Sequence, residues 1–329
     1  MGVAAVAITS STLPSPLFAA AKEALNHQRL IEQLHKQTSI PKERLHAYLK
    51  NATFDEQIIR KMNTPYESKT YGQYRPLFVH ERLAAKGRDY LATHHDIFIK
   101  CYQRYGVQPE IIAAILGMET RYGAYRGKDR VLDALYTLAT GYPRRAEFFA
   151  NQLGEFFLLC EEEKLNPHEV QGSYAGAFGT TQFIPSSYRA FAVDADHDGK
   201  RDVWNSPSDI IFSVGNYFNR HQWRDDRPIA QWIPDLPSHP LTNQMLNDET
   251  KSWKKLQELR DANIANLPQS WHDDDRVALI QRETETGKRT ALVHYNFYVI
   301  TRWNRSYNYA LAISELAHLL GCPQCNIES

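Results

Sequence analysis

Apolar residues recur three or four positions apart along most of this chain, the spacing that lines one face of a helix. That spacing predicts helices over 22–37, through Leu25, Leu30, Ile31 and Leu34, over a short stretch opened by Pro41 and Glu43, and over 54–62. After a loop at 63–72 it predicts one long helix over 77–105, closed by Gly106. Further helices follow over 109–122, 131–140 and 144–164, the last carrying Phe148, Phe149, Leu153, Phe156 and Phe157 on its apolar face. From Gly172 to Pro185 glycines punctuate the pattern, and three of them close together allow backbone to approach a ligand or a neighbouring helix. Helix resumes over 185–191 and 210–220. Residues 225–268 are proline-rich and irregular, with a short helix over 249–259. Strict alternation, with β-branched and aromatic residues, appears over 277–283 and 289–301 around Glu285-Thr-Gly-Lys, which predicts a hairpin and the chain's only clear β-structure. A helix over 309–320, stopped by Gly321, closes the pattern. The fold class is mainly α.

The stretch 109–123 is the most apolar of the predicted helices. Pro109 suits a first helical position, where its missing N–H costs nothing. Ile111, Ile115 and Glu119 stack four apart, so the glutamate ends an apolar stripe just before Gly123. A carboxyl among apolar neighbours is disfavoured in its charged form, which is how a glutamate becomes a general acid near neutral pH. The competing reading is an exposed helix-end glutamate paired with Arg121 or Lys128.

Overall composition adds exclusions. The 329 residues suffice for two domains, and 43% hydrophobic with 23% charged residues describe an ordinary globular chain. Lysine plus arginine and aspartate plus glutamate number 38 each, so no net charge draws the protein to nucleic acid. No run reaches the length of a membrane span. Residues 3–21 are small and apolar, like the end of a secretory signal, although Pro14 and Pro16 interrupt them and no basic segment precedes them. Eighteen tyrosines and six tryptophans suit either a sugar-stacking cleft or an aromatic core. Cys322 and Cys325, three apart, form a local disulfide in an oxidising compartment or stay as idle thiols in a reducing one; a zinc site lacks its second ligand pair.

Residues 194–205 follow EF-hand spacing. Asp194, Asp196 and Asp198 take the first three ligand positions, Gly199 the sharp turn, Lys200 a carbonyl and Asp202 the ninth position. Three carboxylates so close repel one another unless a cation neutralises them, and structural Ca²⁺ is the expected one. Asn205 replaces the closing glutamate, so Asp209 is the candidate to close the loop. A single loop points to a clamp rather than a switch.

Taken together, Glu119-Thr-Arg-Tyr-Gly, Gly141-Tyr-Pro-Arg-Arg-Ala-Glu-Phe-Phe, the glycine-punctuated stretch at 172–188, the acidic loop, Asn216-Tyr-Phe and Trp303-Asn-Arg-Ser-Tyr-Asn-Tyr resemble the lytic murein transglycosylase B family, in order, over roughly 71–320. The resemblance implies a leader at 1–21, an N-terminal helical part at 22–80, a lysozyme-like core at 81–225 with the EF-hand-like loop, a small β-containing insertion at 226–300, a return at 301–321 and a tail. It implies Glu119 as catalytic acid/base, with Tyr74, Arg144, Arg145, Ser173, Tyr174, Gln182, Tyr217, Asn304 and Tyr309 as substrate contacts. The two arginines would meet peptide or lactyl carboxylates. Trp303 and Tyr122 depart mildly from the family pattern. Peptidoglycan glycan strands are the implied partner, beside proteins of cell-wall synthesis, in the periplasm and in a form without a lipid anchor, since no cysteine precedes Cys101. The implied reaction releases 1,6-anhydro-N-acetylmuramic acid and needs no catalytic cofactor. A two-carboxylate muramidase and a catalytically idle glycan-binding protein remain the alternatives.

Overall fold

The computed structural model describes residues 26–63 and 69–328; the leader reading at 1–21 lies outside them. Among these residues are 15 α-helices and two small sheets. Helices α1 (His27–Thr38), α2 (Lys42–Leu49), α3 (Glu56–Met62), α4 (Tyr71–Tyr74), α5 (Glu81–Thr93) and α6 (His95–Tyr105) precede α7 (Pro109–Thr120). Then come β1 (Asp129–Arg130), α8 (Val131–Gly141), α9 (Ala146–Glu162), β2 (Gln171–Gly172), α10 (Pro185–Phe191) and α11 (Pro207–Arg220). The remainder is β3 (Ala230–Ile233), α12 (Pro240–Asp248), β4 (Lys254–Lys255), α13 (Leu256–Asp261), β5 (Arg276–Thr284), β6 (Gly287–His294), α14 (Tyr295–Trp303) and α15 (Tyr307–Leu319). No helix among the described residues is long and apolar enough to cross a membrane.

Internal packing divides the chain into two compact units, Met1–Pro65 with Glu119–Asn216 and Tyr66–Met118 with Tyr217–Ser329. In the first, α9 is the central helix, with α1, α8 and α10 against it. Its apolar stripe of Phe149, Leu153, Phe156 and Phe157 is fully buried, as the 3.6-residue period requires. β1 pairs antiparallel with β2, Asp129 opposite Gly172, and bridges from Gly172 to Phe178 and Phe178 to Phe183 fold the glycine-punctuated stretch onto that ribbon. Gly127 sits so close to it that an added Cβ would stand 2.0 Å from the Gly172 carbonyl oxygen.

The second unit holds the four-stranded antiparallel sheet in the order β3-β6-β5-β4. Its own core gathers Ile233, Met245, Leu256, Leu259, Trp271, Val277, Leu279 and Leu292. Beyond the edge strand β3, Trp232 N–H donates to the Ile327 carbonyl at 2.9 Å. Arg289 holds Glu328 with two hydrogen bonds, and the Cys322–Cys325 disulfide lies just upstream. Beneath the sheet, three ionisable groups are withdrawn from solvent. His294 Nε2 faces Asp275 Oδ1 at 3.4 Å, and Arg227 Nη1 faces the same oxygen at 3.5 Å. His294 Nδ1 accepts the Asn296 N–H that starts α14.

Three expectations need correction. The long helix over 77–105 is two helices, because His94 leaves helical backbone (φ −113°, ψ 24°) after its N–H closes α5 on Tyr90, and α6 starts afresh. The alternation over 289–301 is strand only as far as His294, whose ring caps a helix over the rest. The helix over 249–259 is a single 3₁₀ turn, the short strand β4 and α13, whereas α12 escaped notice in the proline-rich stretch.

Candidate active site

Glu119 is the penultimate residue of α7, in a run where every residue from Ile111 to Thr120 is buried. Its side chain is 1% exposed, so the reading of an exposed surface glutamate does not hold. The helix stops because Arg121, Tyr122 and Gly123 all take left-handed backbone (φ 51°, 61° and 85°). Two of those three have a Cβ, so this stop carries steric cost that the surroundings must offset. Thr120 offsets part of it. Its hydroxyl donates to the Thr180 carbonyl at 3.0 Å and accepts the Gly123 N–H at 2.9 Å.

Thr180 is a hub. Its N–H donates to the Val203 carbonyl, and its hydroxyl donates to the Trp204 carbonyl while accepting from Arg126 Nε at 3.1 Å. Gly179, before it, has φ +70° and an added Cβ there would meet Val203 at 2.7 Å, so only glycine fits this turn. Gln182 completes the knot, its Nε2 donating to the carbonyls of Arg126 and Gly179. Its Oε1 is buried without a protein partner, an acceptor left for something else. Sequence reasoning named Glu119 and Gln182 but missed Thr120, Thr180 and Arg126. Nothing in spacing marks them, since their roles depend on a contact 60 residues apart along the chain.

The other predicted contacts in this unit lie nearby in sequence or on the adjoining ribbon. Ser173 is fully buried and its hydroxyl accepts the Ala177 N–H, closing the turn after β2. Tyr174 has the Lys61 ammonium 5.7 Å from its ring centre. Arg144 is exposed and makes no ion pair among the described residues, while Arg145 lies over Phe148 at 4.0 Å. The first two acids after Glu119 along the chain are both occupied: Asp129 by Lys61 at 3.1 Å, and Asp133 by Arg130 at 2.7 Å and by the Thr53 N–H. Burial pushes the thiols of Cys101 and Cys160 up to about 12, which removes them as nucleophiles.

In the acidic loop, oxygens of Asp194, Asp196 and Asp209 lie within 4.8 Å of one another. Two oxygens on one Ca²⁺ stand up to about 5 Å apart, so the donor set fits a hard cation. Asp209 is fully buried, accepts the N–H groups of Ala195 and Asp202 at 2.7 Å each, and so ties the loop's entry to its exit. Burial raises its carboxyl above the ordinary range, with Asp196 and Asp194 adding to the rise, against the lowering pull of those two donors. Asp198 and Asp202 stand outside that group: Asp198 accepts the Lys200 N–H, and Asp202 accepts those of Trp204 and Asn205. Lys200 is exposed.

In the second unit, Tyr217 stacks on His221 (4.2 Å between ring centres) and meets Trp303 edge-on at 4.7 Å. Burial raises the Tyr217 phenol and lowers the His221 imidazole. Asn304 Oδ1 accepts the Ser306 N–H, and Ser306 caps α15 through the Tyr309 N–H. Tyr309 and Tyr74 are buried rings, Tyr74 packing on Phe78 at 5.0 Å.

Residues 23–318 match the Transglycosylase SLT domain family. The chain is 32% identical over 302 residues to the membrane-bound lytic murein transglycosylase B of Escherichia coli K12, covering 88% of this chain and 81% of that protein. Its structure superposes on the soluble lytic transglycosylase SltB1 of Pseudomonas aeruginosa with a TM-score of 0.79 at 34% identity, over 88% and 96% of the two chains. The E. coli lytic transglycosylase Slt35, solved in complex with calcium, gives 0.77 at 31% identity, over 95% and 100%.

Proposed function

Because the chain belongs to the lytic murein transglycosylase B family, we propose that it cleaves the β-1,4 bond between N-acetylmuramic acid and N-acetylglucosamine in peptidoglycan with Glu119 as sole acid and base. The protein is an enzyme, a lyase-type peptidoglycan transglycosylase. The observation that carries the finer reading is the burial of Glu119 at a helix end stitched down by Thr120, while the first two acids after it in the chain, Asp129 and Asp133, are held in ion pairs. A buried carboxyl favours its neutral form and has a proton to give.

In this reading the Glu119 carboxyl protonates the glycosidic oxygen as its bond to the muramyl anomeric carbon breaks. The 6-hydroxyl of the same muramyl residue then closes on that carbon, and its proton passes to the Glu119 carboxylate. One carboxyl serves both steps, water is not consumed, and the product is the 1,6-anhydro sugar. The unpartnered Gln182 Oε1 is suited to accept a hydroxyl or amide N–H of the substrate, and exposed Arg144 is suited to a lactyl or peptide carboxylate. Ser173, Tyr174 and Arg145 join them on the first unit; Tyr74, Tyr217, Asn304 and Tyr309 are taken as sugar contacts of the second on the family pattern. Asp194, Asp196 and Asp209 would hold Ca²⁺, which would supply charge neutralisation to the loop and no chemistry to the reaction. Peptidoglycan as substrate supports a periplasmic location.

Digestion of purified sacculi in ¹⁸O-water tests the mechanism. Transglycosylation yields unlabelled anhydro-muropeptides, lighter than their reducing-end counterparts by one water. An intramolecular hydroxyl has an effective concentration of roughly 10⁵ M or more, so it outcompetes bulk water where no second carboxylate activates water. Labelled reducing-end muramic acid as the main product overturns this reading in favour of hydrolysis.

A further inference from the structure

One face of α14 remains unused by the site described above. Tyr295, Tyr298 and Arg302 stand at helical spacing along it, and Trp253 comes alongside from the turn before β4. The three rings touch one another, with centres 5.5 Å apart for Tyr295–Tyr298, 6.2 Å for Trp253–Tyr295 and 6.1 Å for Trp253–Tyr298. All three are only half-buried. The indole is fixed in place, because its N–H donates to the Thr250 carbonyl at 2.8 Å. Neither tyrosine hydroxyl has a hydrogen-bond partner among the described residues, so both are open to solvent or ligand. The rim is basic. Exposed Arg302 lies 5.9 Å from the Tyr298 ring centre with no carboxylate in ion-pair reach among the described residues, and exposed Lys251 flanks Trp253 in sequence. The acids close by in sequence are engaged elsewhere, Glu249 with Arg282 and Glu258 with Lys254.

We propose that Trp253, Tyr295, Tyr298 and Arg302 form a second glycan-binding platform, one that holds a carboxylate-bearing amino-sugar strand. Half-exposed aromatic rings present apolar faces to the C–H face of a sugar and to an N-acetyl methyl, while their free hydroxyls bond its hydroxyls. The arginine pairs with a pendant lactyl or peptide carboxylate. Arg302 immediately precedes Trp303, whose ring meets that of Tyr217, a residue assigned to sugar contact. Arg302 is also near enough to Tyr217 to bear on its phenol. A glycan strand is long and periodic, so a second hold raises affinity for long chains without altering the chemistry. The inference rests on the peptidoglycan reading.

The test uses the full chain carrying Glu119→Gln, so that substrate is bound and not consumed. Its affinity is measured by calorimetry for three probes: long strands with stem peptides, the same strands stripped of peptides by an amidase, and a single disaccharide. Trp253→Ala should weaken both long strands about tenfold, the loss of one stacked ring, and leave disaccharide affinity unchanged. Arg302→Glu changes an exposed side chain, so its folding is not in question. It should weaken both long strands several-fold and leave the disaccharide unchanged, since the amidase leaves a free lactyl carboxylate where each stem peptide was. Equal losses for disaccharide and long strands, or no loss for long strands in either variant, overturn the platform and leave the function standing. Failure of the parent to bind any of the three probes overturns both.

Discussion

Thr120 gives the sharpest test of how this fold holds the Glu119 carboxyl. Thr120→Val keeps the side chain's shape and removes its hydroxyl. Two hydrogen bonds disappear, to the Thr180 carbonyl at 3.0 Å and from the Gly123 N–H at 2.9 Å. Both orphaned groups belong to backbone at least partly withdrawn from water, and a buried group left unsatisfied costs about 1–3 kcal/mol. With Gly123 half-buried, the two together should destabilise the protein by about 2–4 kcal/mol. Activity should fall further than stability predicts. Without that tether, the left-handed run at Arg121–Gly123 can relax and shift the last turn of α7, and a displacement near 1 Å costs about a hundredfold in rate. The assays are urea denaturation followed by circular dichroism, and turbidity clearing of sacculi with kcat and KM resolved on soluble strands. Thr120→Ser is the control: it keeps the hydroxyl, loses one methyl worth about 1 kcal/mol, and should retain most of the rate. If the valine variant matches wild type in both assays, or the serine variant loses as much as the valine, the hydroxyl is not what positions Glu119.

Glu119→Gln should preserve the melting temperature and cut turnover by about 10³-fold, because the amide has no proton to give; a variant retaining a tenth of wild-type turnover removes Glu119 from the mechanism. Adding Ca²⁺ at about 10 mM should stabilise the chain by about 1–3 kcal/mol if Kd lies on the order of 10⁻⁴ to 10⁻³ M. Asp196→Ala should abolish that gain in a thermal scan, and an equal gain in the variant refutes the ligand assignment. Burial holds His294 below the ordinary histidine range, and its Nδ1 already accepts the Asn296 N–H, so the folded state resists a proton that the unfolded chain takes near pH 6.5. Stability should therefore be full above about pH 6.5 and fall below it, by up to about 1.4 kcal/mol per pH unit. His294→Asn, which keeps a capping acceptor, should flatten that slope; urea midpoints at neutral and mildly acidic pH decide it.

What could be read from sequence here was whatever is written in local spacing. The α9 stripe and the β5–β6 hairpin follow from period and turn chemistry alone, and the structure reproduces them, whereas Gly141 is still helical and α8 is capped by Tyr142. The break at His94 was invisible because helical spacing runs straight through it. His294 misled for a related reason: the alternating run it ends looks the same whether the next residues continue the strand or turn into a helix, and only its capping ring decides. The site shows the same divide. Glu119 was legible as the polar end of an apolar stripe, and the acidic loop as a spacing. Thr180, Arg126 and Trp253 were not, because each matters through partners distant in the chain or through rings that meet only after folding.

The segment beyond the disulfide has a consequence for how the protein meets other copies of itself. β3 carries Trp232 and Ile233 and would otherwise present an open row of backbone donors and acceptors, a template on which a second copy could build. Ile327 occupies that row through its bond to Trp232, and the Arg289–Glu328 pair pins the following turn of chain outside it. That edge of the sheet is thereby blocked at Trp232, which disfavours pairing of a second copy there.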